Sequence, residues 1–541
     1  MAQYTAQSLF FQSIFCSGLI TVSSLIGPSH AGQYANSADL SLAKVLEVRD
    51  KDWRNGAIVY QVLVDRFAPS ARLDDKKSLY APPKILHPWS EQPSRGSYVD
   101  KIKLWTHELD FWGGDLRSLA TKLDYVQSLG ADVLYLNPIH FAYTNHKYDA
   151  LDYMKISPEF GTREDVKSLA KNLHQRNMKL VLDGVFNHMG HHSELFKRAA
   201  ANPTSPYRDW FYFGKEFAGG ARSWALAQSL PELNLENPHV RNYLYAGEDS
   251  VVRSYLRDGI DGWRLDVAPE IGFIFLDGLT RAAHAQKPGS LVVGEIANYP
   301  KEWFPSVDAV INFNAREIIL EMVTGKIDAA TAGRMLSRII DDAGIEPMLK
   351  SWLLLDNHDT PRLATVLPES SQRKLAQMLQ FTLPGSPNLY YGSELGMIGG
   401  NDPEMRAPMR WDWVNDDNSE LKWVRQLITL RKQHRALRIG NFRPITGNQL
   451  FAFERYTDRV EDSVFIFVNP GHADVTETVL LANSKLMNGG AMIDLLNTTG
   501  RPIYMNASLL TVTVPGTGYL LMKPDIEGSV SIRRINGCSK C

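Results

Sequence analysis

The chain has 541 residues, with 58 Lys and Arg against 60 Asp and Glu, a net charge of −2 and 22% charged residues. That length exceeds what one hydrophobic core supports, so more than one domain is expected. The near balance of charge excludes nucleic acid and acidic membrane surfaces as partners and points to a neutral one. No internal repeat or low-complexity segment stands out.

In chain order, Leu9 to Ile26 is an apolar stretch followed by Ser29-His30-Ala31, a small-residue pattern like a secretory cleavage site, although no Lys or Arg precedes it. Gln12, Ser13, Ser17, Ser23 and Ser24 interrupt it and make it a poor membrane span. The expectation is a signal peptide over 1–31 and a secreted or periplasmic protein, with a leader on a cytoplasmic protein as the alternative. Residues 32–50 read as a leader.

Eight apolar runs follow: Trp53 to Phe67, Ala131 to Pro138, Lys179 to His188, Asp261 to Asp266, Leu291 to Glu295, Asp308 to Asn312, Trp352 to Asp359 and Pro387 to Tyr391. Continuous apolar runs alternating with helical stretches argue for parallel strands covered on both faces. The predicted fold is a (β/α)8 TIM barrel, its first part at 51–188 and its second at 246–437. The stretch from His188 to Asp266 far exceeds the ~30 residues of one strand-helix-strand unit. It carries Gly, Pro and aromatic residues, so an inserted domain is expected at 189–245.

Three of the runs end in a carboxylate: Asp266, Glu295 and Asp359. Asp266 and Glu295 are separated by about one strand-helix-strand unit, which places them on successive parallel strands, facing each other. Acid groups at the C-terminal ends of barrel strands read as catalytic. Alone, Asp266 would read as a cap or turn residue, Arg264 and Asp266 as a structural ion pair, and Glu270 as a solvated surface charge; the ordered set argues against the first two.

After Trp411 to His434 the helical patterning stops and short β-type runs take over: Leu450 to Tyr456, Val464 to Val468, Val475 to Leu481 and Leu509 to Val514. The turns Asn469-Pro470-Gly471 and Pro515-Gly516-Thr517-Gly518 separate them, predicting a C-terminal antiparallel β-sandwich at 438–525. The tail 526–541 holds Cys538 and Cys541, a pair without the two further ligands that a zinc site needs.

Over roughly Ile58 to Pro524 the chain resembles glycoside hydrolase family 13, the α-amylase family. Four motifs stand in order: Asp183-Gly184-Val185-Phe186-Asn187-His188, Gly262-Trp263-Arg264-Leu265-Asp266, Gly294-Glu295-Ile296 and Asn357-His358-Asp359-Thr360-Pro361-Arg362. Within that family, Leu230-Pro231-Glu232-Leu233-Asn234, Val267-Ala268-Pro269-Glu270 and Asn145-His146-Lys147-Tyr148-Asp149 are similar to motifs of the neopullulanase and cyclomaltodextrinase branch. The resemblance implies a retaining hydrolase cleaving α-1,4, and in some members α-1,6, bonds of malto-oligosaccharides, cyclodextrins or pullulan, with some transglycosylation. The alternatives are a sucrose- or trehalose-active transferase or isomerase of the same family, and a non-catalytic sugar-binding scaffold.

A retaining glycosidase needs an ionised carboxylate and a protonated one about 5 to 5.5 Å apart. Asp266 is expected to be the nucleophile, kept ionised by Arg264 two residues earlier. Glu295, longer and following an apolar run, is expected to be the general acid and then base. The resemblance implies that Asp359 is a third acid gripping sugar hydroxyls, that His188 and His358 bind hydroxyls of the same sugar, and that Tyr148 stacks beneath it. His146, Glu270 and Arg406 are further substrate-binding candidates, and Tyr299 stands where the leaving sugar would stack.

Asn187 matches a residue that binds calcium in many members, but Pro269-Glu270 replaces the Lys-His that often follows the nucleophile. No cofactor is expected to be required and no metal ligand is assigned, with structural calcium left open. The expected partner is an α-glucan or oligosaccharide, without nucleic acid or stable membrane insertion. The branch often dimerises through an N-terminal β-sandwich, and about fifty residues precede the first barrel strand here, so the oligomeric state stays open.

Overall fold

The computed structural model describes residues 37–498 and 500–526. The expected signal segment 1–31 and the tail cysteines lie outside the described residues.

Eight strands form the barrel: β1 (Val59–Val62), β2 (Val133–Leu136), β3 (Lys179–Gly184), β4 (Gly262–Leu265), β5 (Leu291–Ile296), β6 (Ala309–Asn312), β7 (Trp352–Leu354) and β8 (Ser386–Tyr390). They close in chain order, with β1 pairing both β2 and β8, and every pairing is parallel. Both faces of these strands are buried, which is why their sequences run apolar without alternating. The interior is filled by Val59, Val133, Val181, Val293, Ile311 and Leu354 among others. It is a packed core, not a pore.

The sequence-predicted strands all appear, but the strand-helix alternation is not perfect. Between β5 and β6 there is only the short 3-10 turn Lys301–Trp303, whereas two long helices, Phe313–Val323 and Ala329–Ala343, lie between β6 and β7. Asp359, expected at the end of a strand, stands five residues beyond Leu354 in the loop after β7. There its backbone N–H donates to Asn357 Oδ1 at 3.0 Å.

Between β3 and the helix Val251–Arg257 the chain makes a long irregular excursion. It is tied together by isolated bridges His188 with Glu232, Phe211 with Leu233, Phe213 with Ala221 and Ser223 with Pro231. A second excursion follows β1 and carries a two-stranded hairpin, Tyr98–Val99 against Leu104–Trp105.

At the C-terminal side stand β9 (Asn441–Ile445), β10 (Phe451–Tyr456), β11 (Val464–Asn469), β12 (Val475–Leu480), β13 (Ala491–Asp494), β14 (Ile503–Tyr504), β15 (Leu509–Val514) and β16 (Gly518–Pro524). Six make one antiparallel sheet in the order β9-β10-β11-β16-β13-β14, and β12 pairs with β15 in a second. Alternation divides the large sheet. Phe465, Phe467, Leu520 and Met522 pack with Val479 and Val512 of the second sheet, while Phe453, Val464, Ile466 and Leu521 join the core of the barrel.

The stretch read as a leader is helical from Ser37 to Lys51. Its Leu46 is buried, and Arg49 donates to Ile439 O at 2.9 Å, to Asn441 Oδ1 at 2.8 Å and to Glu346 Oε1 at 2.6 Å. The helix therefore clasps the junction between barrel and sheet domain. Among the described residues no helix is long and apolar enough to cross a membrane.

Candidate active site

Strand register builds the site. Arg264 on β4 is the direct partner of Asp183 on β3 and of Val293 on β5. Leu265 pairs with Gly294, so one residue further on Asp266 stands level with Glu295. Because side chains alternate along a strand, Arg264 and Asp266 share the interior face, as do Val293 and Glu295. On β5 the interior face thus passes from apolar Val293 to the carboxyl of Glu295 toward the C-terminal end of the barrel, and on β4 it carries Arg264 and then Asp266.

Arg264 is fully buried and joins three carboxylates. Its Nη1 donates to Asp183 Oδ1 at 2.8 Å and to Asp266 Oδ1 at 2.9 Å, and its Nη2 lies 2.8 Å from Glu295 Oε1. Glu295 is oriented from its other oxygen, which accepts the backbone N–H of Val267 at 2.9 Å. Val267 has φ 39° and ψ 45°, a left-handed backbone that is rare for a β-branched side chain. The strain sits directly after Asp266.

The sequence reading expected Arg264 to hold Asp266 ionised. The structure differs: burial drives the Asp266 carboxyl well above the ordinary Asp range, aided by Glu295, Asp183 and Asp359, and Arg264 opposes this without overcoming it. One guanidinium shared among several carboxylates cannot neutralise them all. Asp359 goes the other way. Burial would raise it, but the contacts with His358, Arg406 and Arg264 prevail and hold it below the ordinary range. Its side chain is 43% open to the cleft, and His358 Nε2 lies 3.0 Å from its Oδ2.

The imidazole of His358 is fixed from behind. Gln61 accepts from Asn388 through Oε1 at 3.1 Å, which turns its Nε2 toward His358 Nδ1 at 2.9 Å. The network therefore assigns the proton to Nε2, facing Asp359 and the Tyr148 hydroxyl. Tyr148 lies with its ring parallel to His358, centroids 5.4 Å apart at 1°, and its hydroxyl also donates to Asp183 Oδ2 at 3.1 Å. His188 is buried, and burial lowers its pKa to about 3 against a backbone hydrogen bond with Tyr148, leaving a neutral ring beside the cleft.

Asp266, Glu295, Asp359, Tyr148, His146, His188 and Arg406 line one cavity of 700 Å³, within the ordinary size of a ligand site. Arg264 and His358 stand just beneath it. His146 is tied to Glu108 Oε1 at 3.1 Å, and Arg406 bridges Asp359 at 3.4 Å and Asp402 at 3.0 Å. Arg406, with His107, outweighs burial and brings the Asp402 carboxyl down to about 2. Glu270 does not reach the cavity wall; its Oε1 accepts the Trp224 indole N–H at 3.1 Å, and Trp224 in turn stacks on His188 at 5.5 Å. Tyr299 lies apart, its hydroxyl on Asp342 Oδ2 at 2.8 Å beside a separate apolar cavity with Phe313 and Met335.

Asn187 Nδ2 lies 3.5 Å from Glu270 Oε2, and among the described residues no group of three or more His, Cys, Asp or Glu is disposed to hold a metal.

Sequence reasoning gave no role to Asp183, although it stands inside a quoted motif. Its position on the interior face of a strand ending beside the carboxylates is the signal that finds it. Trp224, Leu226, Tyr98, Trp105, Glu108 and Asp402 also line or brace the cavity, and nothing in their local sequence announces it.

Residues 61–440 match the family model described as Alpha amylase, catalytic domain. The chain is 34% identical to a cyclomaltodextrinase of Geobacillus thermopakistaniensis over 484 residues, covering 87% of this chain and 77% of that one. It is 31% identical to neopullulanase 2 of Thermoactinomyces vulgaris, covering 87% and 78%. Among solved structures, the cyclic α-maltosyl-(1→6)-maltose hydrolase of Arthrobacter globiformis superposes with a TM-score of 0.72 at 28% identity, over 87% of this chain and 99% of that one.

Proposed function

The chain belongs to the α-amylase family of glycoside hydrolases, and from that premise we propose that it is a retaining α-glucan hydrolase in which Asp266 is the nucleophile and Glu295 the acid and base. The observation that carries the reading is the level placement of Asp266 and Glu295 on neighbouring strands, both touching Arg264 at the base of an open cavity. Adjacent strands lie about 4.8 Å apart, which suits the about 5 to 5.5 Å of double displacement better than the wider gap that inversion needs.

In its ionised form Asp266 attacks the anomeric carbon while Glu295 protonates the departing glycosidic oxygen. A covalent glucosyl ester on Asp266 results. Glu295, now a base, takes a proton from water, which attacks the same carbon and releases the sugar with its α configuration kept. Asp359, together with His358 aligned by Gln61, takes hydroxyls of the bound sugar, as does His188. Tyr148 offers its ring to the sugar's C–H face. The substrates are cyclodextrins and pullulan, as the names of the relatives suggest, and malto-oligosaccharides, whose sugars would meet aromatic side chains on the walls of the cavity and carboxyl groups at its base. In this reading residues 189–245 form one wall of the cleft, and the signal peptide proposed over 1–31 directs export; N-terminal sequencing of protein recovered outside the expressing cell tests that location.

Glu295→Gln tests the acid role. Fluoride departs without a proton, so the variant should still be glycosylated by α-glucosyl fluoride while failing on maltotriose. Azide, a nucleophile needing no deprotonation, should restore turnover of the fluoride. Equal loss on both substrates without azide rescue would return Glu295 to a binding or structural role.

A further inference from the structure

Between His146 and Tyr148, which both line the cavity, stands a lysine that does not line it and that the mechanism leaves unused. Lys147 has φ 68°, in the left-handed region that is uncommon outside glycine, Asn and Asp. Its side chain is fully buried, with the ammonium 3.5 Å from Glu159 Oε2 and the Phe111 and Phe160 rings at 5.0 Å each. Beyond that ion pair and those ring faces, the ammonium has no hydrogen bond among the described residues. A left-handed lysine backbone and a buried cation are both costly, and they persist together only where the surroundings over-determine them.

Those surroundings come from several segments. Asn145 anchors the start of the turn, its Nδ2 donating to His107 O at 2.7 Å and to Asp110 O at 2.8 Å. Asp149 anchors the end, accepting from Tyr143 N and Thr144 N at 3.2 Å each. Midway between them Lys147 reaches back to Glu159, in the loop before the helix Arg163–Gln175. Glu159 is itself buried, accepts from Ser157 Oγ at 2.9 Å and pairs with Lys84 as well. Burial would raise the Glu159 carboxyl, but the Lys147 and Lys84 ammoniums prevail and bring it down to about 2, so it is ionised at neutral pH. For Lys147, burial lowers the pKa and its single carboxylate partner opposes this without overcoming it.

We infer that Lys147 is a positioning residue: its charge, drawn to Glu159, holds the left-handed turn that sets the ring of Tyr148 flat against the reacting sugar. This rests on the α-glucan reading above, in which Tyr148 offers its ring to the sugar. The ring lies at 1° to that of His358, with its hydroxyl on Asp183, an orientation that depends on the backbone at Lys147. An apolar side chain of the same length would fill the space between the two phenyl rings. Nothing would draw it there against the preference of the backbone for negative φ. The turn would then relax, Tyr148 would tilt, and the C–H face of the sugar would lose its flat partner. His146, on the other side of Lys147 and 5.8 Å from Tyr148 between ring centroids, would shift with it.

The test is Lys147→Met in the full-length protein. Methionine keeps the length and the apolar stem, and Glu159 keeps Lys84, so no buried charge is orphaned; a cooperative thermal melt verifies the fold. If that variant does not fold, Lys147→Met combined with Glu159→Gln, which removes both charges of the pair together, carries the same test. The value of kcat/KM on maltotriose should fall about tenfold, through KM rather than kcat. Added to Tyr148→Ala, the same change should alter kcat/KM by less than about twofold, because the lysine acts through a ring that is no longer there. A crystal structure of Lys147→Met should show the Tyr148 ring turned out of parallel with His358. A folded variant within about twofold of the parent, or one that loses about tenfold again in the Tyr148→Ala background, overturns the role of Lys147 and leaves the α-glucan reading standing. A parent inert on every α-glucan overturns that reading, and the crystal structure then decides Lys147: a Tyr148 ring still parallel to His358 overturns it too.

Discussion

Asp266→Asn should inactivate the enzyme and stabilise it at the same time. The side chain is almost completely enclosed, with Arg264 shared between it, Asp183 and Glu295. Burial and the neighbouring carboxylates raise its folded pKa well above the ordinary Asp value. The sign follows from linkage. Below the unfolded pKa of about 3.9 the group is protonated in both states and nothing is lost. As pH rises toward the folded pKa, the unfolded chain ionises first and stability falls, by up to about 1.4 kcal/mol per pH unit. Beyond the folded pKa the loss is complete and constant.

Asparagine keeps the shape and escapes this penalty, and Arg264 retains two carboxylate partners, so no buried cation is orphaned. A gain of about 0.5–2 kcal/mol is the usual size for one stabilising substitution. With an unfolding entropy of about 2.1 cal/mol/K per residue, a chain of this length gains roughly 1 °C per kcal/mol. Calorimetry of both proteins from pH 4 to pH 8 should therefore show the Asn variant melting about 0.5–2 °C higher at neutral pH, with the gap closing toward pH 4. Its turnover of maltotriose should fall at least ~10³-fold, or ~4 kcal/mol of barrier. A variant that melts at or below the parent temperature at neutral pH, with no trend in pH, would refute the account of the carboxylate cluster; near-normal activity would refute the nucleophile.

NMR of freshly released sugar should show the α-anomer first, since two displacements restore the starting configuration; a β-anomer appearing first would mean inversion and wider-spaced carboxylates. Glu270→Ala removes the acceptor of the Trp224 indole and should loosen the wall against His188, raising KM several-fold on long substrates. Unchanged kinetics would mean that Trp224 is held by stacking alone.

The barrel and the order of its acids were legible in the sequence because both are periodic. A doubly buried strand must be apolar along its whole length, and each such run stops where the interior meets solvent, so Asp266 and Glu295 mark strand ends without knowledge of the fold. The four motifs assigned His188 and His358, and the segment Asn145 to Asp149 assigned Tyr148, to the same neighbourhood through resemblance. Other features depend on contacts between segments far apart in the chain, and no local pattern encodes these. Strand register makes Arg264 the partner of Asp183, so that one cation is shared among the carboxylates and does not overcome the burial that raises the Asp266 pKa. Residues 32–50 carry no signal that separates a leader from a helix, and the helix Ser37–Lys51 is recognised by what Arg49 reaches at Ile439 and Asn441. The cavity mouth is the extreme case: Tyr98, Trp105 and Leu226 come from irregular excursions after β1 and β3, whose paths are set by tertiary bridges. An isolated leucine in a loop is ordinary until the fold places it above the reacting carboxylates.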